Sequence, residues 1–295
     1  MKHHFGDLLD RDGDYWTIVP NRERYAYFIG NTPAGSPEVR VATIGAEDAA
    51  WRNIFSFPHL EELTLHGPTS EQLLAIAELS RLKRLRITHA RPKDLGFLAP
   101  LSQVEELVLE YVSGFSDLSP LRSLTKLKSL HLENLRRVKD FGGLHGITSL
   151  RYLAIDGTLD WKQPIGDLEF LRGLPNLEVL VFGFIISLAP FPAVRPILSL
   201  PNLKRLKLPL NLLDVREYAL LEVGLSGVPG AHWGPFWRLE SSSGREAWFE
   251  FTGKGAGRVK CGSANADQKC AEYSAKYEQL KAEVQSLAAQ LRSGS

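Results

Sequence analysis

An apolar residue, a leucine three positions on and a second apolar residue two further make a figure that recurs through the middle of this chain. It falls at Leu60/Leu63/Leu65, Leu82/Leu85/Ile87, Val104/Leu107/Leu109, Leu127/Leu130/Leu132, Leu150/Leu153/Ile155, Leu177/Leu180/Phe182 and Leu203/Leu206/Leu208. The first members are spaced 22, 22, 23, 23, 27 and 26 residues apart, a period that predicts a solenoid of stacked units. Within each copy, apolar and variable residues alternate. That predicts one short strand per unit, leucines inward and variable residues outward, and the stacked strands make one parallel sheet. Catalysis is not the first expectation for such a chain.

The segments between strands have their own rhythm. Leu95/Leu98/Leu101 and Leu118/Leu121/Leu124 recur every third residue, which predicts 3₁₀ turns along the back of the solenoid. Asp94, Asp117, Asp140 and Asp167 stand just before the apolar residue that opens such a segment, where a carboxylate can accept free amides at a helical start. Short α-helices are predicted over 70–80, with Leu73, Ile76, Ala77 and Leu79 inward, and over 215–223 with Asp214 as cap. Strand-like runs at 15–19, 25–30 and 39–45 predict a β-rich cap over residues 1–54, ahead of repeats over 55–230.

The remainder, 231–295, changes grammar. The anchors Leu174-Pro175-Asn176-Leu177, Leu200-Pro201-Asn202-Leu203 and Val228-Pro229-Gly230-Ala231 predict a degenerate eighth repeat with its strand near 233–239. Strands at 246–251 and 258–261 flank the glycine-rich turn 253–257, a hairpin rather than a phosphate cradle because no helix begins after it. A helix is predicted over 267–292, with a heptad seam of Cys270, Tyr273, Tyr277, Leu280, Val284, Leu287 and Leu291. Docking of this seam on the end of the solenoid is favoured over a coiled-coil dimer, because its first positions are a cysteine and tyrosines.

The stretches DLGFLAPLSQVEELVL (94–109) and DLSPLRSLTKLKSLHL (117–132) resemble leucine-rich repeat proteins, most of all the 22-residue subclass found in internalins and in a nuclear phosphatase regulator. The resemblance implies a right-handed α/β solenoid, a parallel concave sheet and non-catalytic protein recognition through that sheet; an inhibitor or immunity-type partner is one form such a binding module can take. The chain departs from the family at one position. Where the family usually places asparagine, three residues after the last strand apolar residue, stand Pro68, Ala90, Val112, Leu135, Thr158, Ile185 and only then Asn211.

Composition narrows the partners. The chain is 44% apolar and 23% charged with a net charge of +1, which argues against nucleic acid as an obligatory ligand. Neither a signal-peptide core nor a membrane-length apolar run is evident, and the chain is read as cytoplasmic. Its two cysteines, Cys261 and Cys270, are read either as plain thiols or as a disulfide, the latter requiring an oxidising environment. Asp10-Arg11-Asp12-Gly13-Asp14 invites a calcium reading, but Tyr15 and Asn21 stand where a calcium loop needs glycine and a carboxylate, so a turn is favoured.

Candidate chemistry lies on the outward strand positions. Three columns follow in repeat order: Glu62, Arg84, Glu106, Ser129, Tyr152, Val179, Arg205; then Thr64, Arg86, Val108, His131, Ala154, Val181, Lys207; then His66, Thr88, Glu110, Glu133, Asp156, Gly183, Pro209. The face divides into a basic zone (Arg84, Arg86), an acidic zone (Glu106, Glu110, Glu133, Asp156, with His131 and Tyr152 among them), an apolar zone (Val179, Val181, Phe184) and a second basic zone (Arg205, Lys207). Glu110 and Glu133 are expected to project into solvent, and the valines to be exposed. Trp233 and Trp237 complete the proposed partner surface as anchors if the eighth strand joins the sheet. A metal site on His131, Glu110, Glu133 and Asp156 is disfavoured, since residues two apart on a strand stand about 7 Å apart. An enzyme using His131, Glu133 and Asp156 is the weakest reading, behind a scaffold assembled through the terminal helix. No cofactor motif is present.

Overall fold

A computed structural model of the chain describes residues 2–3, 9–12, 15–18, 24–25, 27–29, 32–231, 233–241, 244 and 246–293. Five short strands come first: β1 (Lys2–His3), β2 (Leu9–Asp12), β3 (Tyr15–Ile18), β4 (Arg24–Tyr25) and β5 (Tyr27–Phe28). Strands β2 and β3 are antiparallel neighbours, with Asp12 opposite Tyr15. Gly13 and Asp14 of the turn expected there lie outside the described residues.

From β5 onward one parallel sheet runs through the molecule. Its members are β5, β6 (Val41–Gly45), β7 (Glu62–His66), β8 (Arg84–Thr88), β9 (Glu106–Glu110), β10 (Ser129–Glu133), β11 (Tyr152–Asp156), β13 (Val179–Phe182) and β15 (Arg205–Lys207), in that spatial order. The pair β12 (Gln163–Ile165) and β14 (Ile185–Ser187) forms a small parallel sheet of its own beside β11 and β13. All seven predicted strands stack, so the fold is a leucine-rich repeat solenoid. The sheet also continues past residue 54 into the segment expected as a cap, where β5 and β6 pair parallel to β7.

Register explains the stacking. Each inward leucine faces its equivalent in the next repeat: Leu63, Leu85, Leu107, Leu130, Leu153, Leu180 and Leu206 form one continuous column. All but Leu85, at 2%, have no exposed surface. Behind the sheet, 3₁₀ turns cover 96–98, 119–123, 142–144 and 169–173. As anticipated, Asp94, Asp117, Asp140 and Asp167 each accept the amide two residues on, at 2.8, 2.8, 2.7 and 2.9 Å. In Asp117 the Ser119 hydroxyl and amide hold the carboxyl below its ordinary pKa. These carboxylates are structural.

The missing asparagines are replaced in two ways. The residue leaving each of four strands, Gly67, His89, Tyr111 and Asn134, has a left-handed φ of 54–56°. In that conformation its amide donates to the last strand carbonyl of the next repeat: Thr88, Glu110, Glu133 and Asp156 in turn, at 2.8–3.0 Å. Further round the bend, buried Gln163 accepts the Leu135 amide at 3.0 Å and donates to the Val138 carbonyl at 2.7 Å.

Helix α1 (Ser70–Ala75) begins at a capping box between Thr69 and Gln72. A 3₁₀ turn, 76–78, continues it. A second helix, α2 (Arg195–Leu198), not anticipated, is held by the Glu217 carboxylate on the Ala193 and Val194 amides. Helix α3 (Val215–Leu225) carries the expected Asp214 cap, bonded to the Arg216 amide at 2.9 Å.

The predicted eighth repeat is corrected here. Pro229 still offers its carbonyl to the Leu206 amide at 3.0 Å, but the strand that follows, β16 (Phe236–Glu240), turns away from the concave sheet. It pairs antiparallel with β17 (Ala247–Phe251), which pairs with β18 (Arg258–Lys260). The reason is a better apolar partner: Phe236, Phe249, Phe251, Val259, Cys270 and Tyr273 make a separate small core. The expected hairpin is present. Cys261 and Cys270 carry free thiols, and burial, with nearby Asp267 and Cys261, pushes the Cys270 thiol up.

Helix α4 (Ala266–Ser293) closes the end. Its seam divides: Cys270 and Tyr273 pack on the terminal sheet, whereas Tyr277 and Val284 are buried in the main core alongside α3 with Leu280 and Leu287 against it, joined by Ala288 from outside the expected seam. The Tyr277 hydroxyl donates to the Glu222 carboxylate at 2.9 Å, and the Lys281 ammonium reaches the same carboxylate at 2.9 Å. The side chain of Leu291 lies outside the described residues.

Two outcomes follow from this packing. Leu130→Ala should cost about 2–5 kcal/mol, because neighbouring repeats hold the cavity open, read as a lower urea midpoint with unchanged m-value. Deleting all residues after Gln279 strips Leu280, Val284 and Ala288 from the end of the core. The shortened chain should melt earlier or aggregate, whereas a soluble, equally stable product would show that α4 does not cap the solenoid.

Candidate recognition face

The predicted columns are the observed ones. Glu62, Arg84, Glu106, Ser129, Tyr152, Val179 and Arg205 are successive register partners, as are Thr64, Arg86, Val108, His131, Ala154, Val181 and Lys207. The third column runs through Glu133 and Asp156, after which Gly183 and Pro209 lie past the strand ends.

The charge zones do not stand apart as the sequence suggested. Arg84 lies 3.0 Å from the Glu106 carboxylate and 3.6 Å from that of Glu62. Arg86 donates two bonds to Glu110 Oε2, from Nε at 2.8 Å and from the terminal nitrogen at 2.6 Å. The first basic zone therefore neutralises the first half of the acidic one. Side-chain exposures of 14% for Arg86 and 11% for Glu110 correct the expectation that Glu110 projects freely into solvent. A single oxygen receiving two N–H donors in a partly dry setting is a strong, charge-assisted contact.

Beyond β9 the outward carboxylates form no ion pair with a lysine or arginine of the described residues. Glu133 meets the His131 imidazole at 3.4 Å. Asp156 accepts the Phe184 amide at 2.6 Å, and burial, reinforced by the Glu133 charge on the adjacent strand, raises its carboxyl pKa. Gly183 makes this placement possible: a Cβ there would stand 2.0–2.1 Å from the Asp156 carboxylate. Three polar atoms on these two strands, Ser129 Oγ, His131 Nδ1 and the Tyr152 hydroxyl, are buried without a hydrogen-bond partner.

The valines are not the bare patch expected. Val179 is buried, and Val181 is partly buried, in a cluster with Tyr152 and Ala154 that lies on the sheet itself. The exposed apolar side chains sit instead at the rim where strands end: Tyr111, Leu159 and Phe184 are 41, 85 and 40% exposed, while Leu188, 57% exposed, lies further round beyond β14. Arg205 is half-buried and Lys207 exposed on the last strand. Trp233 and Trp237 are not on this face. Trp233 donates its indole N–H to the Val228 carbonyl at 3.2 Å, and Trp237 is on β16 in the terminal sheet.

Glu110, His131 and Glu133 bring ligand-type atoms within 4.8 Å of one another, closer than strand spacing suggested, while Asp156 is not part of that group. Long side chains from adjacent strands converge here. Arg86 already supplies a positive charge to one of the three, which opposes a divalent cation.

One feature of the opposite rim escaped the sequence reading. The residues just before the strands are charged, and they pair across repeats: Arg40 and Lys83 with Glu61, Lys128 with Glu105, and Arg151 and Lys204 with Glu178. The alternation Glu61, Lys83, Glu105, Lys128 was there to be read at repeat spacing.

No protein-family model matches the chain, and no curated protein does. Among solved structures, an internalin (inlF) of Listeria monocytogenes is similar at 21% identity over 66% of this chain, with TM-score 0.48; the chain spans 60% of that protein's length. Internalin C2 of the same organism is 20% identical over 57% of this chain and 70% of its own, with TM-score 0.42. A leucine-rich repeat protein of Leptospira interrogans is 15% identical over 66% of this chain and 55% of its own, with TM-score 0.44.

Two measurements check the electrostatics. Glu110→Lys places a second cation against Arg86 and should cost on the order of 3–5 kcal/mol, whereas replacing both Arg86 and Glu110 by leucine should recover most of that loss in urea unfolding. A carboxyl NMR titration should place the Asp156 midpoint above that of an ordinary aspartate. Glu133→Gln should lower it only part of the way, since burial is the larger cause. Because the folded state holds this proton more tightly, the contribution of Asp156 to stability should fall as pH rises from the ordinary aspartate pKa through the raised one.

Proposed function

We propose that this protein is a non-catalytic recognition module that binds another protein through the concave face of its repeats. The fold is one typically used for protein binding, and its concave sheet is a continuous surface. The observation that carries the reading is the contrast between the two rims. One is closed by ion pairs within the chain, whereas the other presents Tyr111, Leu159 and Phe184 to solvent beside Glu133 and Asp156, which form no ion pair with a lysine or arginine of the described residues. Such a patch is costly to leave wet and is typical of an interaction site.

The surface in this reading runs from Glu133 and Asp156 to Phe184 and on to Lys207. Arg84, Arg86, Glu106 and Glu110 act as its rigid, self-neutralised floor. Trp233 and Trp237 belong to a different surface. A masking role, as inhibitor or immunity-type partner, fits a rigid face of this kind. The scaffold reading loses its main support, because the helical seam is spent on docking against α3. A monomer in a reducing, cytoplasmic compartment is the setting proposed, in keeping with two unbridged thiols.

The test compares captures from the native cell lysate by the natural protein and by a Glu133→Lys/Phe184→Asp variant with an unchanged melting curve. The variant should lose a protein that the natural chain retains. Identical captures would remove the concave face from the function.

A further inference from the structure

We propose that Glu133 and Asp156 form a seat for an arginine or lysine side chain of the partner protein, with apolar residues beside that cation packing on the rim at Phe184 and Tyr111. The inference rests on the reading of the concave face as a protein-binding surface and names the chemistry of what it binds.

The first argument is the pattern of pairing along the face. From β7 to β9 the carboxylates have arginines: Arg84 serves Glu62 and Glu106, and Arg86 serves Glu110. From β10 to β11 the same outward columns continue in register, with Glu133 opposite Asp156. Here no ion pair to a lysine or arginine of the described residues is formed. Arg136, on the same rim, is held 5.8 Å from the centre of the Trp161 ring and bonds to Asn134. A guanidinium arriving from outside would extend the arrangement that Arg86 makes with Glu110 one strand earlier. Arginine suits the seat better than lysine, because its planar fork can serve two carboxylates at once.

The second argument is that this part of the face holds polar atoms with nothing to bond. Tyr152 is 1% exposed, its hydroxyl has no hydrogen-bond partner, and it feels the Asp156 charge. His131, 5% exposed, likewise leaves Nδ1 unpartnered beside Glu133. Buried groups of this kind are ordinarily satisfied; these atoms lie below the surface, so they mark the polar ground under the seat rather than contacts to the incoming cation. Two carboxylates on adjacent strands, with Asp156 already half desolvated, also repel each other, and a shared cation relieves that repulsion.

The third argument is the rim. Seven large apolar side chains are exposed among the described residues, and three of them, Tyr111, Leu159 and Phe184, follow β9, β11 and β13 at this rim. The Phe184 amide is bonded to Asp156 itself, so the apolar rim and the acidic seat are one surface. The Tyr111 and Phe184 rings offer faces to a guanidinium or to its apolar neighbours.

The experiment pans a phage-displayed random peptide library on the full chain. Selected peptides should carry arginine or lysine next to an apolar residue. Glu133→Gln, which keeps the side-chain shape, should weaken them about tenfold or more, and Phe184→Ala should weaken them severalfold. Asp156→Asn should act as Glu133→Gln does, but it is read only if its melting curve is unchanged, since Asp156 also holds the Phe184 amide. Peptides that lack a basic residue and ignore Glu133→Gln, yet are lost with Phe184→Ala or Lys207→Glu, would overturn the cation seat and leave the concave reading standing. Peptides indifferent to every concave substitution, or no binders at all, would count against both. Calorimetric binding of Zn²⁺ or Mn²⁺ abolished by Glu133→Gln would assign the carboxylates to a metal and overturn the proposal.

Discussion

One constraint governs the rest of this molecule: the unbroken hydrogen-bonded register of the parallel sheet. Each strand pairs residue for residue with the next, from Val41 opposite Glu62 to Val181 opposite Lys207. A slip of one residue anywhere would send an inward leucine to the surface and an outward glutamate into the core. The register therefore stacks the leucines into a dry column and, by the same act, stacks the outward side chains into the columns that form the face. Packing and the concave face are two sides of one geometric decision.

The ends of that sheet show how the constraint is released. At the carboxyl end, Pro229 offers its carbonyl to Leu206 but the chain then leaves, because Phe236 finds a denser apolar partner in Phe249, Phe251 and Tyr273 than the sheet edge offers. Helix α4 covers what remains, its Tyr277 and Lys281 both meeting Glu222. A partly buried carboxylate that would be costly alone is thus satisfied at the seam it helps to close. Along the face, the same economy is seen in Arg84 and Arg86, which spend their charge on neighbouring strands. Over β10 and β11, Glu133 and Asp156 form no ion pair with a lysine or arginine of the described residues, and Glu133 meets only the His131 imidazole.

Much of this was legible because it depends on spacing alone. The period of the leucines determined the strands, their register and the identity of every outward column, and the aspartates at 94, 117, 140 and 167 announced their turns. The left-handed residues after four strands were harder to see. Gly67 and Asn134 are suited to a positive φ, but His89 and Tyr111 are not obvious choices. They are held there by the backbone ladder, and their rings stack with centroids 4.8 Å apart. The expected eighth strand misled because Val228-Pro229-Gly230-Ala231 repeats the anchor of the preceding units, while what decides strand membership is which apolar surface the following residues meet.

The sequence by itself determined the solenoid, the inward leucines, the 3₁₀ backs, the terminal hairpin and helix, and which side chains share the concave face, since all of these follow from residue type at a repeating interval. Tertiary structure alone decided which of those outward residues are free. Glu110 and Glu133 occupy equivalent places in the pattern, yet Arg86 claims one and leaves the other with an imidazole. Val179 looked exposed, but Tyr152 and Ala154 cover it. Asp156 could bend back to Phe184 only because Gly183 leaves room. Periodicity says where a side chain starts; what it meets depends on the reach of its neighbours across the strands, and that is a property of the folded surface.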